Sequence, residues 1–201
     1  MTLTVWFSFV VVCVLGTISP GPSLAVVLRR TLSNGRSHGL VTAASHSAGV
    51  TLWALLTVWG LGVVVTEHPM LYQIITGVGA VYLAWLGFKA LRSSGNPQFS
   101  VEGKPGSLFG AVRDGAMISL MNPKLALFFI ALFSQFVSAE QALTENLLMT
   151  ATVVSIDLLW YCGVALLLSQ ERVIRALQEK TKVIDRVSGL VMIGLAVRVA
   201  L

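Results

Sequence analysis

Long apolar runs separated by short polar interruptions set the pattern of this chain, and the first run is the most informative. No side chain from Met1 to Leu28 is ionisable, so Leu3 to Leu28 predicts span one; about 20 apolar residues suffice to cross a bilayer. Its middle cannot be regular helix. Ser19-Pro20-Gly21-Pro22 sets two residues without a backbone donor around a permissive glycine, so several backbone groups lose their helical partners at membrane depth. Such groups persist there only where other protein or a water-filled cavity satisfies them. Later runs predict span two over about Leu40–Thr66 and span three over Met70–Phe88. Span four starts between Ser107 and Gly115, breaks at Asn122-Pro123 and resumes to about Val137. Span five covers Leu147–Leu168, and Val187–Leu201 gives a span six that is short for a full crossing. Asn34-Gly35 reads as a helix stop, Ser93–Gly106 as a linker and Ser169–Arg186 as a surface helix.

The halves on either side of the linker echo each other. Pro22-Ser-Leu-Ala-Val-Val-Leu28 matches Pro123-Lys-Leu-Ala-Leu-Phe-Phe129, and Leu52-Trp53 matches Leu159-Trp160. Thr76-Gly77 with Leu83-Ala84 matches Ser188-Gly189 with Leu195-Ala196. Each half holds an odd number of spans, so the halves lie in opposite orientations. The expected fold is therefore an all-α membrane protein: six transmembrane helices as two inverted three-helix repeats, with helices 1 and 4 discontinuous. One integral membrane domain, 1–201, divides into repeat 1 (1–92), linker (93–106) and repeat 2 (107–201). Gly77, Gly79, Ala80, Ala84 and Gly87 would let another helix approach span three closely.

Composition sharpens this picture. The chain is 55% hydrophobic and 11% charged, with mean hydropathy +0.81, far from the roughly 25% charged of soluble domains. A net charge of +5 could suggest nucleic acid, but the Lys and Arg residues cluster at Arg29–Arg36, Lys89–Arg113 and Arg172–Arg186. Basic clusters in alternate loops report orientation, so the expected partners are a lipid bilayer and no nucleic acid. In a bacterial inner membrane this pattern puts both termini on the periplasmic side. The N-terminus lacks a basic n-region and is read as retained. Cys13 and Cys162 lie inside apolar runs without metal-ligand spacing, so neither a metal site nor a disulfide is expected, and no cofactor is implied.

Ionisable and polar groups inside apolar runs carry the candidate chemistry, because each is costly there. Asp157, in the middle of span five, is read as a proton-coupling carboxylate whose protonation alternates with pairing to Lys124; a structural pair with Lys124 is the other reading. Lys124 could instead meet a substrate carboxylate. Asn122 could offer an amide to substrate or serve as a helix cap. The helix restarting at Pro22 aims its early backbone donors and positive dipole end at the break, where a carboxylate is favoured, and Ser23 could add a hydroxyl. The expected substrate-binding set is thus Ser19, Pro20, Gly21, Pro22, Ser23, Asn122, Pro123 and Lys124; the other reading of Pro20-Gly21-Pro22 is a hinge with no ligand contact. His46 is read as a satisfied packing residue rather than a proton relay. Trp53 and Trp160 could frame a cavity, although lipid-facing or core packing is the favoured reading for either one alone, and Asp114 beside Arg113 is read as interfacial.

Thr17-Ile-Ser-Pro-Gly-Pro22, the Gly35-Arg36 turn, Gly79-Ala-Val-Tyr-Leu-Ala-Trp-Leu-Gly87 and Asn122-Pro-Lys124 with Phe128-Phe129 together resemble the lysine exporter superfamily of LysE-type translocators, in its homoserine/threonine efflux branch. The resemblance implies a six-helix inner-membrane exporter of amino acids or similar metabolites, driven by the proton gradient, with Asp157 matching the family's acidic residue in span five. Many relatives carry Asn where this chain has Ser119. The combined expectation is a proton-antiport secondary transporter exporting a small neutral amino acid, threonine- or homoserine-like. Half-helix donors, one Lys and one mid-membrane carboxylate suit a zwitterion better than a dibasic substrate. Alternatives are a passive channel, an exporter of another small metabolite, or a scaffold. An intramembrane enzyme is not expected, since neither His-Glu-x-x-His nor a second intramembrane Asp is read. Oligomeric state is left open, a homo-oligomer included.

Overall fold

The computed structural model describes residues 1–93, 106–167 and 171–200, with the side chains of 171–178 and 198–200 left aside. These residues form eight helices: α1 (Leu3–Ile18), α2 (Pro22–Asn34), α3 (Arg36–Glu67), α4 (Pro69–Leu91), α5 (Leu108–Leu120), α6 (Pro123–Phe133), α7 (Leu143–Leu167) and α8 (Glu171–Ala200).

Both expected interruptions are present. α1 and α2 bend by 55° across Ser19–Gly21, and α5 and α6 bend by 51° across Met121-Asn122. Proline supplies the chemistry each time, since Pro22 and Pro123 open their helices at the position where no donor is needed. Gly35 separates α2 from α3. Its φ of +89° is a conformation that L side chains resist, while its N–H still closes on Thr31 O at 3.0 Å. Arg29 and Arg30 belong to α2 rather than to a loop, because the helix runs on to that glycine.

The C-terminal reading needs correction. In place of a surface helix followed by a separate short span, residues 171–200 form one continuous helix. Thr181, Asp185, Ser188, Met192, Leu195 and Ala196 are buried at three- and four-residue spacing, the signature of a single face turned to the bundle. Most of the linker lies outside the described residues. Three helices (α3, α4, α7) are long and apolar enough to cross a membrane, and five spans result if each bent pair is one span; α8 does not qualify on that measure.

α3 and α7 pack centrally; α5 lies on α3, α1 on α7, and α4 on both α8 and α6. Two apolar clusters form. Phe9, Val58, Leu83, Phe129, Phe133, Phe136, Met149 and Leu195 belong to the larger, and Leu24, Val27, Leu28, Ala43, Val164 and Ala165 to the smaller. On α3 and α7 alike, the residues between the two clusters are polar: His46 and Ser47 on one, Asp157 on the other. The fold thus places a buried polar layer between two apolar clusters. Outside, Phe7, Leu56, Val63, Met70, Ile74, Val78 and Val81 are exposed, as a lipid-facing surface requires.

Small residues set a close helix crossing between α4 and α8. A Cβ on Gly87 would lie 2.6 Å from Gly189 O, and one on Gly189 would lie 2.6 Å from Gly87 O, so α4 and α8 touch backbone to backbone. Gly79 likewise abuts Ala131 on α6, whereas Gly77 faces open space. Gly189→Leu should therefore force α4 and α8 apart and cost about 1–3 kcal/mol through overpacking. Thermal unfolding in detergent checks this, with Gly194→Ala, where a Cβ meets nothing within 4 Å, expected to be neutral or slightly stabilising.

Candidate functional site

Both breaks open into one cavity of about 1170 Å³. Ser19, Pro20, Gly21, Pro22 and Ser23 line it from the first break, and Asn122, Pro123 and Lys124 from the second. His46, Asp157, Tyr161 and Asp185 complete its polar wall. All nine residues singled out in the sequence thus face one space. The breaks meet directly, since a Cβ added to Gly21 would lie 3.5 Å from the Lys124 ammonium nitrogen.

The two restarting helices are finished differently. At α6, Asn122 Oδ1 accepts the Lys124 backbone N–H at 3.1 Å, so Asn122 acts as an N-cap. At α2, Gly21 is extended and offers no side-chain cap, and the first donors of that helix lack such a partner. An anion is favoured at such an uncapped end, and Lys124 sits over it. The Lys124 side chain makes no hydrogen bond or ion pair among the described residues.

Asp157 does not pair with Lys124. Its Oδ2 accepts Ser47 Oγ–H at 2.6 Å and lies 3.1 Å from His46 Nδ1, while His46 Nε2 lies 2.9 Å from Ser23 Oγ. Tyr161 packs edge-on against the imidazole at 4.8 Å. With its proton on Nδ1, the His46 ring donates to the carboxylate and accepts from Ser23 Oγ. Ser23, His46, Asp157 and Ser47 are all buried, so a continuous hydrogen-bonded line runs from the start of α2 through α3 to α7. His46 is satisfied, as its sequence position suggested, but its partners are the two residues nearest the candidate chemistry.

Other sequence-derived candidates lie elsewhere. Trp53 donates to Ser119 O at 3.1 Å, and neither Trp53 nor Trp160 lines the cavity. Ser119 turns its hydroxyl back onto its own helix, to Gly115 O and Ala116 O. Asp114 is more than interfacial: Arg29 and Arg30 of α2 both reach its Oδ2, at 2.7 Å, tying together half-helices of the two broken spans. Cys13 and Cys162 are both free thiols. Sequence reading missed Asp185, which lines the cavity and is buried. The periodic face from Thr181 to Leu195 could have revealed it.

The cavity runs from the breaks to Lys89, Arg92 and Ser93 at the end of α4. Toward the other end, Phe9 meets Phe133 and Phe136 edge-on at 5.5 and 5.2 Å, and Phe129 stacks on Phe133. One end of the site is open and the other is closed by packed aromatic rings.

The family described as LysE type translocator matches residues 14–201. The chain is 30% identical to the uncharacterized membrane protein YahN of Escherichia coli (strain K12), over 90% of this chain and 82% of that one. It is 27% identical to the threonine efflux protein of the same strain, over 97% of each. It is 25% identical to the leucine efflux protein of Klebsiella pneumoniae, over 97% of this chain and 94% of that one. No solved structure matches significantly.

Proposed function

The chain belongs to the LysE type translocator family, and on that premise we propose that it exports a small zwitterionic amino acid by proton antiport. The observation that carries this reading is the convergence of both helix breaks and a buried carboxylate on one cavity. Unwound backbone at membrane depth is tolerated where it lines a site, and paired broken helices in two halves are the mark of a transporter's central site. The Lys124 ammonium over the uncapped start of α2 suits a carboxylate. Asp157, held by Ser47 and His46, suits a proton carrier. Substrates of threonine, homoserine or leucine size are well within the cavity's volume.

The open end carries Lys89 and Arg92, which the charge pattern assigns to the cytoplasmic side. The closed aromatic end then faces the periplasm, and the termini with it. This is a state that loads substrate from the cytoplasm. α4 packs on α6, whereas α8 and α2, the counterparts of that pair under an inverted repeat, barely meet among the described residues. Unequal packing of equivalent pairs is what alternating access asks of two oppositely oriented repeats, with the reverse pattern expected after release.

Inside-out proteoliposomes, in which export appears as uptake, test the reading. With an acidic lumen, a neutral amino acid should accumulate above its external concentration and leak back when a protonophore is added. Equal downhill flux with and without the gradient identifies a passive channel instead. Accumulation of a non-amino-acid metabolite, with no competition by neutral amino acids, overturns the substrate class.

A further inference from the structure

Asp185 sits on the inward face of α8, 6% exposed, among Thr181, Ser188 and Met192. Its carboxylate lines the same cavity as Lys124 and is close enough for its charge to act on that ammonium, yet no ion pair or hydrogen bond joins them. Nor does Asp185 find a hydrogen-bond or ion-pair partner elsewhere among the described residues. A buried carboxylate left without a partner is costly, and a structural role would close the pair.

The other charged groups on the cavity wall are otherwise occupied. Asp157 already accepts from Ser47 and His46. Lys89 and Arg92 are exposed at the mouth, Lys89 over the Trp85 ring at 5.2 Å. One half-buried ammonium and one buried carboxylate therefore remain open toward a common space, on α6 and α8. A zwitterion carries the complementary pair. The cavity thus holds two carboxylates, Asp157 and Asp185, where the sequence pattern suggests one.

We propose that Asp185 receives the α-ammonium group of the substrate while Lys124 and the start of α2 receive its carboxylate, so that Asp157 is left to carry the proton. This assignment rests on the exporter reading above. It gives the site selectivity for molecules that carry both groups. It also gives the substrate a means of drawing α8 toward α2, because the two charged ends it bridges belong to different helices.

The test compares purified wild-type protein with Asp185→Asn and Asp185→Glu in detergent. The probes are the neutral amino acid that gives the largest thermal stabilisation in a screen of the common set, and the 2-hydroxy acid with the same side chain. Wild type should prefer the amino acid at least tenfold. Asp185→Asn should lose at least tenfold in affinity for the amino acid, bind the hydroxy acid as before, and so lose the preference. Asp185→Glu should restore it, which also serves as the readout if the Asn variant does not fold. A wild-type response that Asp185→Asn leaves equally selective overturns the assignment alone. A wild type that responds to no amino acid overturns the exporter reading and this assignment with it.

Discussion

Asp157→Asn should abolish uphill transport while leaving substrate exchange intact. The substitution is close to isosteric, and the amide oxygen can still accept from Ser47 Oγ and His46 Nδ1, so the buried line from Ser23 to α7 has no reason to collapse. What disappears is a group that can take up and release a proton. For one-for-one antiport, a gradient of one pH unit is worth about 1.4 kcal/mol and supports about tenfold accumulation. In the variant that ratio should fall to one, while exchange of labelled for unlabelled substrate across the same vesicles continues. Persistence of gradient-driven accumulation would move the proton to another group and leave Asp157 as a packing residue. Loss of exchange together with accumulation, in a protein whose melting temperature is unchanged, would instead make Asp157 part of substrate recognition. His46 offers a corollary, because its imidazole sets the orientation of the carboxylate through the same hydrogen bond.

The parts of this molecule that were legible in the sequence are those governed by local covalent chemistry. Pro20, Pro22 and Pro123 cannot continue a helix arriving from the preceding turn, so both breaks could be placed from the residues alone. Gly35 was legible for the same reason, as a stop that needs positive φ. Partner choice was not legible. Asp157 and Lys124 looked like a pair because they are the ionisable groups that stand out in apolar runs. In the folded chain α3 packs along α7, so Ser47 and His46 reach the carboxylate first.

Asp185 was hidden by a different effect. Its neighbours Lys180, Lys182 and Arg186 make the segment look like a solvated surface helix. Their side chains are exposed, flanking the face on which Thr181, Asp185 and Ser188 turn inward. A segmentation based on mean hydropathy averages over the two faces and starts the span only at residue 187. The buried face continues through that boundary.

Lys124→Met should move function and stability in opposite directions. In this state the Lys124 ammonium is half-buried in a cavity, without a hydrogen bond or ion pair among the described residues. Holding a charge there is unfavourable to the fold and useful only when an anion arrives. Methionine keeps the length of the stem and removes the charge, so the unliganded variant should melt at a higher temperature than wild type. Substrate affinity should fall by the worth of a charge-assisted hydrogen bond, about 1.5–3 kcal/mol, or roughly 10- to 150-fold. The loss should follow the substrate's carboxylate: the corresponding amino acid amide, with no anion to offer, should bind wild type and variant alike. A variant that melts lower and binds both compounds less well would show Lys124 to be holding the second break together. A variant that melts higher and keeps full affinity for the amino acid would leave the start of α2 as the whole of the anion site.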